Sequence, residues 1–181
     1  MDDDALLLDL VNSRLVTDGR VDDELGDDTA AADWLRRHGA PHGPEHVEDA
    51  RTVRAALVAL LRDSAAVSVL DPWVTAMRRT AELADDGLHW VDATPPDRRV
   101  GATVVEHWAA LQDSGGTSRI RPCAAHDCQH FLIDRSRANN RRWHSMETCG
   151  NREKSRRHYA RTRAGAADGD GDRSGDSSAT G

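Results

Sequence analysis

The residues with the clearest chemical potential are three cysteines that lie close together in the C-terminal third of the chain, Cys123, Cys128 and Cys149. With His144 they form the spacing Cys-x4-Cys-x15-His-x4-Cys, in which two close pairs are separated by 15 residues. Two such pairs can supply the four ligands of a tetrahedral structural zinc ion. An odd number of cysteines argues against a framework of disulfides. The spacing therefore predicts one structural Zn2+ held by these four residues.

Residue type alone does not identify the fourth ligand, since His126 and His130 lie in the same segment as His144. Only His144 forms a second pair with four intervening residues, and we therefore expect it to be the ligand. Four protein ligands leave no position for an activated water, which argues against a zinc-dependent nuclease. A zinc deaminase needs two cysteines separated by two residues, not by four. We expect no enzymatic activity.

The charge of the chain is divided between an acidic and a basic segment, although the formal net charge is −7. Residues 1–120 carry 23 acidic and 12 basic side chains, whereas residues 121–163 carry 4 acidic and 11 basic ones. A basic segment can neutralise the phosphates of a nucleic acid, and arginine suits bidentate contacts to phosphate or guanine. The candidate contact residues are Arg135, Arg137, Arg141, Arg142, Arg152, Lys154, Arg156, Arg157 and Arg161.

Most of these cations lie on a predicted helix that begins at the last cysteine, where the helix dipole would stabilise a bound thiolate. At about 100° per residue the cations fall on two adjoining faces. One face carries Arg152, Arg156 and Arg163, and the other carries Lys154, Arg157 and Arg161. The alternative is a solvated helix whose arginines pair with the acidic N-terminal region. Arg152 is expected to contact either phosphate or Asp134.

The C-terminal segment resembles a known family of zinc fingers. Residues 141–152, which read RRWHSMETCGNR, are similar to the signature of the CGNR zinc-finger family, and residues 131–137 are similar to its hairpin and arginine segment. Residues 8–14, LDLVNSR, resemble the opening of the ABATE domain that usually precedes this finger. The resemblance implies a stress-induced transcription regulator and DNA as the bound nucleic acid. Where the family usually has a third cysteine this chain has His144, and we expect the site to be retained because histidine is a good zinc ligand.

The elements that position this site are predicted to be mainly α-helical. With 4% aromatic residues, a core must be built from Leu, Val and Ala, which favours helices. Apolar spacing predicts helices over residues 5–16, 29–39 with Thr29 as cap, 44–61, 71–83 and 100–111. The tryptophans of this region are expected to anchor its core. Phe131-Leu132-Ile133 predicts one strand of a short β-hairpin within the finger.

These features predict an acidic helical domain over residues 1–116, a basic zinc finger over 119–163 and a disordered tail over 164–181. No apolar run approaches the roughly 18 residues of a membrane span, and the acidic N-terminus is unlike a secretory signal. We therefore expect a cytoplasmic protein, nucleoid-associated when bound to DNA. The helical domain is expected to sense a small-molecule or protein effector, or to mediate association such as a homodimer. The alternative is a protein-interaction adaptor or an RNA-binding module without regulatory DNA contacts.

Overall fold

Helices dominate the described residues, 3–17, 20–113 and 119–167 of the computed structural model, which confirms the predicted fold class. In chain order the helices are α1 (Asp3–Asn12), α2 (Asp28–Arg37), α3 (Pro44–Leu61), α4 (Asp71–Val74), α5 (Pro96–Asp113) and α6 (Asn151–Ala167). Three antiparallel hairpins accompany them within this part of the chain. They pair β1 (Arg14–Thr17) with β2 (Arg20–Asp23), β3 (Arg79–Ala84) with β4 (Gly87–Asp92), and β5 (Ile120–Pro122) with β6 (Phe131–Ile133).

The chain divides into two compact units. The first contains the residues up to Cys123 together with Gln129–Arg141, and the second contains Ala124–Cys128 together with the residues from Arg142 onward. The hairpin of β5 and β6 belongs to the first unit because its apolar residues join that unit's core, where Ile120, Phe131 and Ile133 are buried. Among the described residues, no helix is both long enough and apolar enough to cross a membrane.

The core of the first unit is built around α3, which begins and ends as predicted. Pro44 occupies the first turn, where its missing N–H removes no helical hydrogen bond. The residues that α3 buries recur at helical spacing, and they pack with buried residues of α1, α2 and α5. On α3 they include Val47, Ala50, Val53 and Leu57.

A buried carboxylate, Asp49, ties α3 to α4 and α5. One oxygen of Asp49 accepts the indole N–H of Trp73 at 2.6 Å, and the other accepts the backbone N–H of Gly101 at 2.8 Å. Burial raises the pKa of Asp49 above its ordinary value. A Cβ atom at Gly101 would clash with Nε1 of Trp73, so glycine is needed for the indole to reach the carboxylate.

We expect Gly101→Ala to lower the free energy of unfolding by about 2 kcal/mol. The new methyl group would displace the indole of Trp73, and one buried oxygen of Asp49 would lose its hydrogen bond. The higher helix propensity of alanine would by itself raise the free energy of unfolding by about 1 kcal/mol. Urea unfolding followed by circular dichroism measures the change. Ala109→Gly, at an exposed position of α5, is the control for propensity. A Gly101→Ala protein as stable as the parent chain contradicts this packing.

Two predicted helices end earlier than expected, and strands follow them. The helix predicted over residues 5–16 ends at Asn12, because the Asn12 side chain pairs with the backbone of Phe131: its Nδ2 donates to the carbonyl at 3.2 Å and its Oδ1 accepts the N–H at 2.8 Å. Leu15 and Val16 therefore lie in β1. The helix predicted over residues 71–83 ends at Val74.

The residues that follow α4 form the hairpin of β3 and β4, in which Ala84 faces Gly87 across a two-residue loop. Gly87 has φ 132°, a conformation that other residues rarely adopt. Trp90 is 67% exposed on this hairpin, so its assignment to the core is wrong, whereas Trp34 and Trp73 are buried as predicted.

Two predicted helix ends also change. Asp27, not Thr29, caps α2, since its carboxylate accepts the N–H of Ala30 at 2.9 Å. At the other end of the chain, α6 continues to Ala167, four residues into the segment predicted to be a disordered tail. The rest of that segment, from residue 168, lies outside the described residues.

Candidate metal centre

The four residues predicted from spacing bring their ligand atoms together. The Sγ atoms of Cys123, Cys128 and Cys149 and a ring nitrogen of His144 all lie within 4.8 Å of one another. Nδ1 of His144 is 3.3 Å from Sγ of Cys128 and 3.5 Å from Sγ of Cys149. His126 and His130, the alternatives for the fourth ligand, lie outside this cluster.

The donor set fits zinc. Three thiolates and an imidazole are preferred zinc ligands, and neighbouring ligand atoms of a tetrahedral zinc ion are roughly 3.5 Å apart. Cys123 and Cys149 are buried and the other two ligands are half-buried, so a bound ion would be shielded from water. Bound zinc would crosslink the segments that carry these ligands, and four protein ligands would fill its coordination shell.

The first ligand pair lies on a tight turn. The N–H of Cys123 donates to the carbonyl of His130 at 2.7 Å, which continues the pairing of β5 with β6. The N–H of Cys128 donates to the carbonyl of Ala125 at 3.1 Å and closes the turn. Asp127 is the acidic residue of this turn, immediately before the second cysteine.

The second ligand pair leads into α6 through a single wide turn, the π-helix Met146–Gly150. Ser145 begins this turn: its hydroxyl accepts the N–H of Thr148 at 3.2 Å, and its carbonyl accepts the N–H of Cys149 at 3.1 Å. Cys149 therefore lies just before the N-terminus of α6, where the helix dipole would complement the negative charge of the zinc-bound ligands. The predicted helix start after Cys149 is confirmed.

Two arginines of α6 bind Asp127. One carboxylate oxygen is 2.8 Å from Nη2 of Arg152, and the other is 2.9 Å from Nη2 of Arg156. Partial desolvation raises the pKa of Asp127, but a backbone hydrogen bond and the two guanidinium groups outweigh it and hold this pKa below its ordinary value. Arg152 thus pairs with Asp127, so the predicted contact with Asp134 is wrong, whereas the predicted contact with phosphate stays a prediction.

Arg152 also approaches a metal ligand. Its Nη2 is 3.6 Å from Sγ of Cys149, within reach of a weak N–H···S hydrogen bond. Zinc with three thiolates and a neutral imidazole carries a formal charge of −1, which a guanidinium group complements. We refer to Asp127, Arg152 and Arg156 as the Asp127 clamp. Sequence reasoning missed Asp127, although its position between the cysteines and the four-residue spacing of the two arginines are visible in the sequence.

We expect Asp127→Asn to weaken zinc binding by about tenfold, since residues that orient metal ligands typically contribute 10–100-fold to metal affinity. Competition with a chromophoric chelator measures the zinc affinity. Glu147→Gln removes the same charge at an exposed position of the same unit and is the matched control. Equal zinc affinity in the two variants contradicts the role of the clamp.

The other predicted contact residues are exposed. On α6 these are Lys154, Arg157 and Arg161, and α6 is exposed along its described side chains except at Glu153. Glu153 accepts from Arg156 at 3.1 Å, which further occupies that guanidinium. The two predicted faces therefore differ in their partners. Arg152 and Arg156 bind Asp127, whereas Lys154, Arg157 and Arg161 form no ion pair with a carboxylate among the described residues.

A second buried carboxylate, Asp134 of the first unit, orders the start of the arginine segment, residues 135–142, of which Arg142 belongs to the second unit. Asp134 is 1% exposed and accepts the N–H of Ser136 at 2.9 Å and the N–H of Arg141 at 2.6 Å. Hydrogen bonds from Ser136, then from the backbone of Arg141, together with the nearby Arg121, lower the pKa of Asp134 to about 2. The side chains of the predicted contact residues here are exposed; they are Arg135, Arg137, Arg141 and Arg142.

Comparison with protein families agrees with the site. A model described as "CGNR zinc finger" matches residues 119–162, and a model described as "Putative stress-induced transcription regulator", the ABATE domain, matches residues 4–125. No curated protein matches the chain. The finger and its Cys3His cluster together identify one structural zinc as the cofactor. The chain belongs to the ABATE family and carries a CGNR zinc finger at its C-terminal end.

Proposed function

We propose that this protein regulates transcription and that its zinc finger binds DNA through α6. The observation that carries the proposal is the exposed cationic face of α6, formed by Lys154, Arg157 and Arg161, on a helix anchored to the metal site by the Asp127 clamp. The family description as a transcription regulator supports the same conclusion.

The geometry of α6 suits the major groove. An α-helix with its side chains is about 10–12 Å wide, close to the roughly 12 Å width of the groove. An isolated helix of this length is marginal in water, and the described residues of α6 bury no apolar side chain. Packing against the rest of the protein therefore does not explain the arginine-rich sequence of α6, whereas contact with an anionic surface does. Arginine side chains at exposed positions can make bidentate contacts to phosphate or to guanine.

The arginine segment, the zinc site and the first unit each have a role in the proposed regulator. The arginine segment adds further phosphate contacts, and the zinc is structural, without enzymatic activity, because its protein ligands complete the shell. The first unit senses an effector or mediates association, for example as a homodimer. A regulator of this kind would act in the cytoplasm, at the nucleoid.

Selection from a random pool of duplex DNA by the zinc-loaded full-length protein tests the proposal. We expect enrichment of a common sequence, with affinity for the selected duplex well above that for random duplex. The same pool transcribed as RNA is the comparison. Enrichment only from RNA supports the RNA-binding alternative, and enrichment from neither pool favours the protein-interaction adaptor.

A further inference from the structure

A cavity of about 580 Å³ opens on the surface of the first unit, along the exposed side of α3. Residues of α3 at spacings of three and four form one wall. The rest of the lining comes from α1, β1, Phe131 of β6 and three loop residues, Arg62, Ser64 and Gln129. We call it the arginine cleft, because Arg14, Arg51, Arg54 and Arg62 line it. This concentration of guanidinium groups occurs in a segment with almost twice as many acidic as basic side chains.

No carboxylate lines the described walls of the arginine cleft, and the acidic partners of its arginines lie behind or outside it. Asp23 binds Arg54 through both oxygens, at 2.6 and 3.1 Å, and lies 3.5 Å from Arg14. Asp28 binds Arg51 at 2.8 Å, but the side chain of Asp28 is 85% exposed and its charge is screened by water. Asp23 thus compensates the charge of Arg54, and Asp28 together with Glu48, at 3.8 Å, compensates part of the charge of Arg51.

Arg62 has the most available charge. Its Nη2 donates to the carbonyl of Gln129 at 2.9 Å, and its guanidinium lies 4.9 Å from the centre of the Phe131 ring. Within the described residues it forms no ion pair with a carboxylate. Stacking on an aromatic ring fixes the plane of the guanidinium and leaves its other N–H groups available to an anion.

The floor of the cleft is apolar. Ala55, Val58 and Ala59 of α3 lie between Arg51 and Arg62, which are separated by about 16 Å along the helix axis. Val11 and Phe131 complete this surface. Small-molecule sites combine an apolar lining of this kind with a few polar groups that fix the orientation of the ligand, in volumes of about 300–1,000 Å³.

We propose that the arginine cleft binds a small organic anion, in which a carboxylate or a similar acidic group is attached to an apolar body. The acidic group binds Arg62, and the apolar body lies against Ala55, Val58 and Phe131. A guanidinium fork matches a carboxylate in shape and charge. This inference rests on the proposed effector-sensing role of the first unit and names the chemical class of the effector.

The test is a fluorescence titration of the zinc-loaded full-length protein with 8-anilinonaphthalene-1-sulfonate, an aromatic anion. We expect saturable binding that octanoate displaces and that 1-octanol, which lacks the charge, displaces at least about tenfold less well. Arg62→Gln should weaken probe binding by about tenfold through loss of one charged hydrogen-bonding group. Ala55→Glu, at an exposed helical position that tolerates glutamate, should weaken it as much.

Two control variants show where the probe binds. Arg37→Gln removes an exposed arginine elsewhere in the first unit, and Trp90→Thr removes the largest of the exposed apolar side chains of the hairpin of β3 and β4. Both should bind the probe as the parent chain does. Unchanged binding by Ala55→Glu, or loss of binding in Trp90→Thr, overturns the proposal.

Titration of the same variants with duplex DNA distinguishes failure of the cleft proposal from failure of the DNA-binding proposal. Lost probe binding with retained DNA affinity in Arg62→Gln supports the cleft as a separate ligand site. Probe binding that survives in all variants, beside normal DNA binding, overturns the cleft and leaves the DNA-binding proposal standing. Normal probe binding at the cleft with no DNA binding by any protein overturns the DNA-binding proposal alone.

Discussion

Replacing Cys149 by serine should release the zinc and unfold the second unit while the first unit stays folded. The second unit has almost no apolar core, since Ala125, Cys149 and Gly150 are the buried residues among those described for it. A structural zinc ion contributes on the order of 10 kcal/mol to the folding of a small finger, far more than this burial can replace. The first unit keeps its own cluster of buried Leu, Val and Trp side chains.

Elemental analysis for zinc and far-ultraviolet circular dichroism for the helical signal of α6 measure this result. The same loss is expected for Cys123→Ser and for Cys128→Ser. Ser155→Ala, at an exposed position of α6, is the control and should keep one zinc per chain. A full equivalent of zinc in Cys149→Ser, or an intact site in His144→Ala, is incompatible with the four-ligand assignment.

The second large effect is expected when Arg157 and Arg161 are both replaced by alanine. Loss of two arginine contacts should weaken duplex binding by about 30-fold or more, at roughly 1–3 kcal/mol for each contact. Zinc content and stability should not change, because both side chains are exposed. If both arginines contact phosphate, the slope of log K against log salt should fall by about two and all sequences should be affected alike.

Arg156→Ala is the matched comparison on the same helix. Because Arg156 binds Asp127 and Glu153, its loss should lower zinc affinity, and any loss of DNA binding should follow the loss of zinc. Restoring zinc saturation should then restore DNA binding in Arg156→Ala but not in the double variant. Equal behaviour of the two proteins at saturating zinc contradicts the separation of the two helix faces.

The sequence predicted those parts of the structure in which local signals agree with tertiary packing. Pro44 and the apolar stripe that follows it define α3, and the two ligand pairs define the metal cluster before any fold is known. The exposed cations of α6 could also be identified, because a helix with charge on adjoining faces cannot bury both. In each case the information lies within about 30 residues of the chain.

The missed features depend on segments that meet only when the chain folds back on itself. The end of α1 is set by the pairing of Asn12 with Phe131, 119 residues away, which no local pattern can show. Leu83 fits a helical spacing, but the chain reverses at Gly87 and pairs it with Leu88 instead. The ion pairs of Asp127 with its two arginines also could not be predicted from local sequence, because these residues meet only when the two ligand pairs converge.

The central claim, that the zinc-held finger binds DNA, is tested most directly by one titration of labelled duplex DNA with the full-length protein at ~50 and ~200 mM salt. The zinc-loaded protein should bind with a log–log salt slope of about −3 or steeper, equivalent to three or more phosphate contacts. The chelator-treated protein should bind at least about tenfold more weakly, because α6 is no longer held. Binding that is independent of salt, or equally strong with and without zinc, would contradict the account.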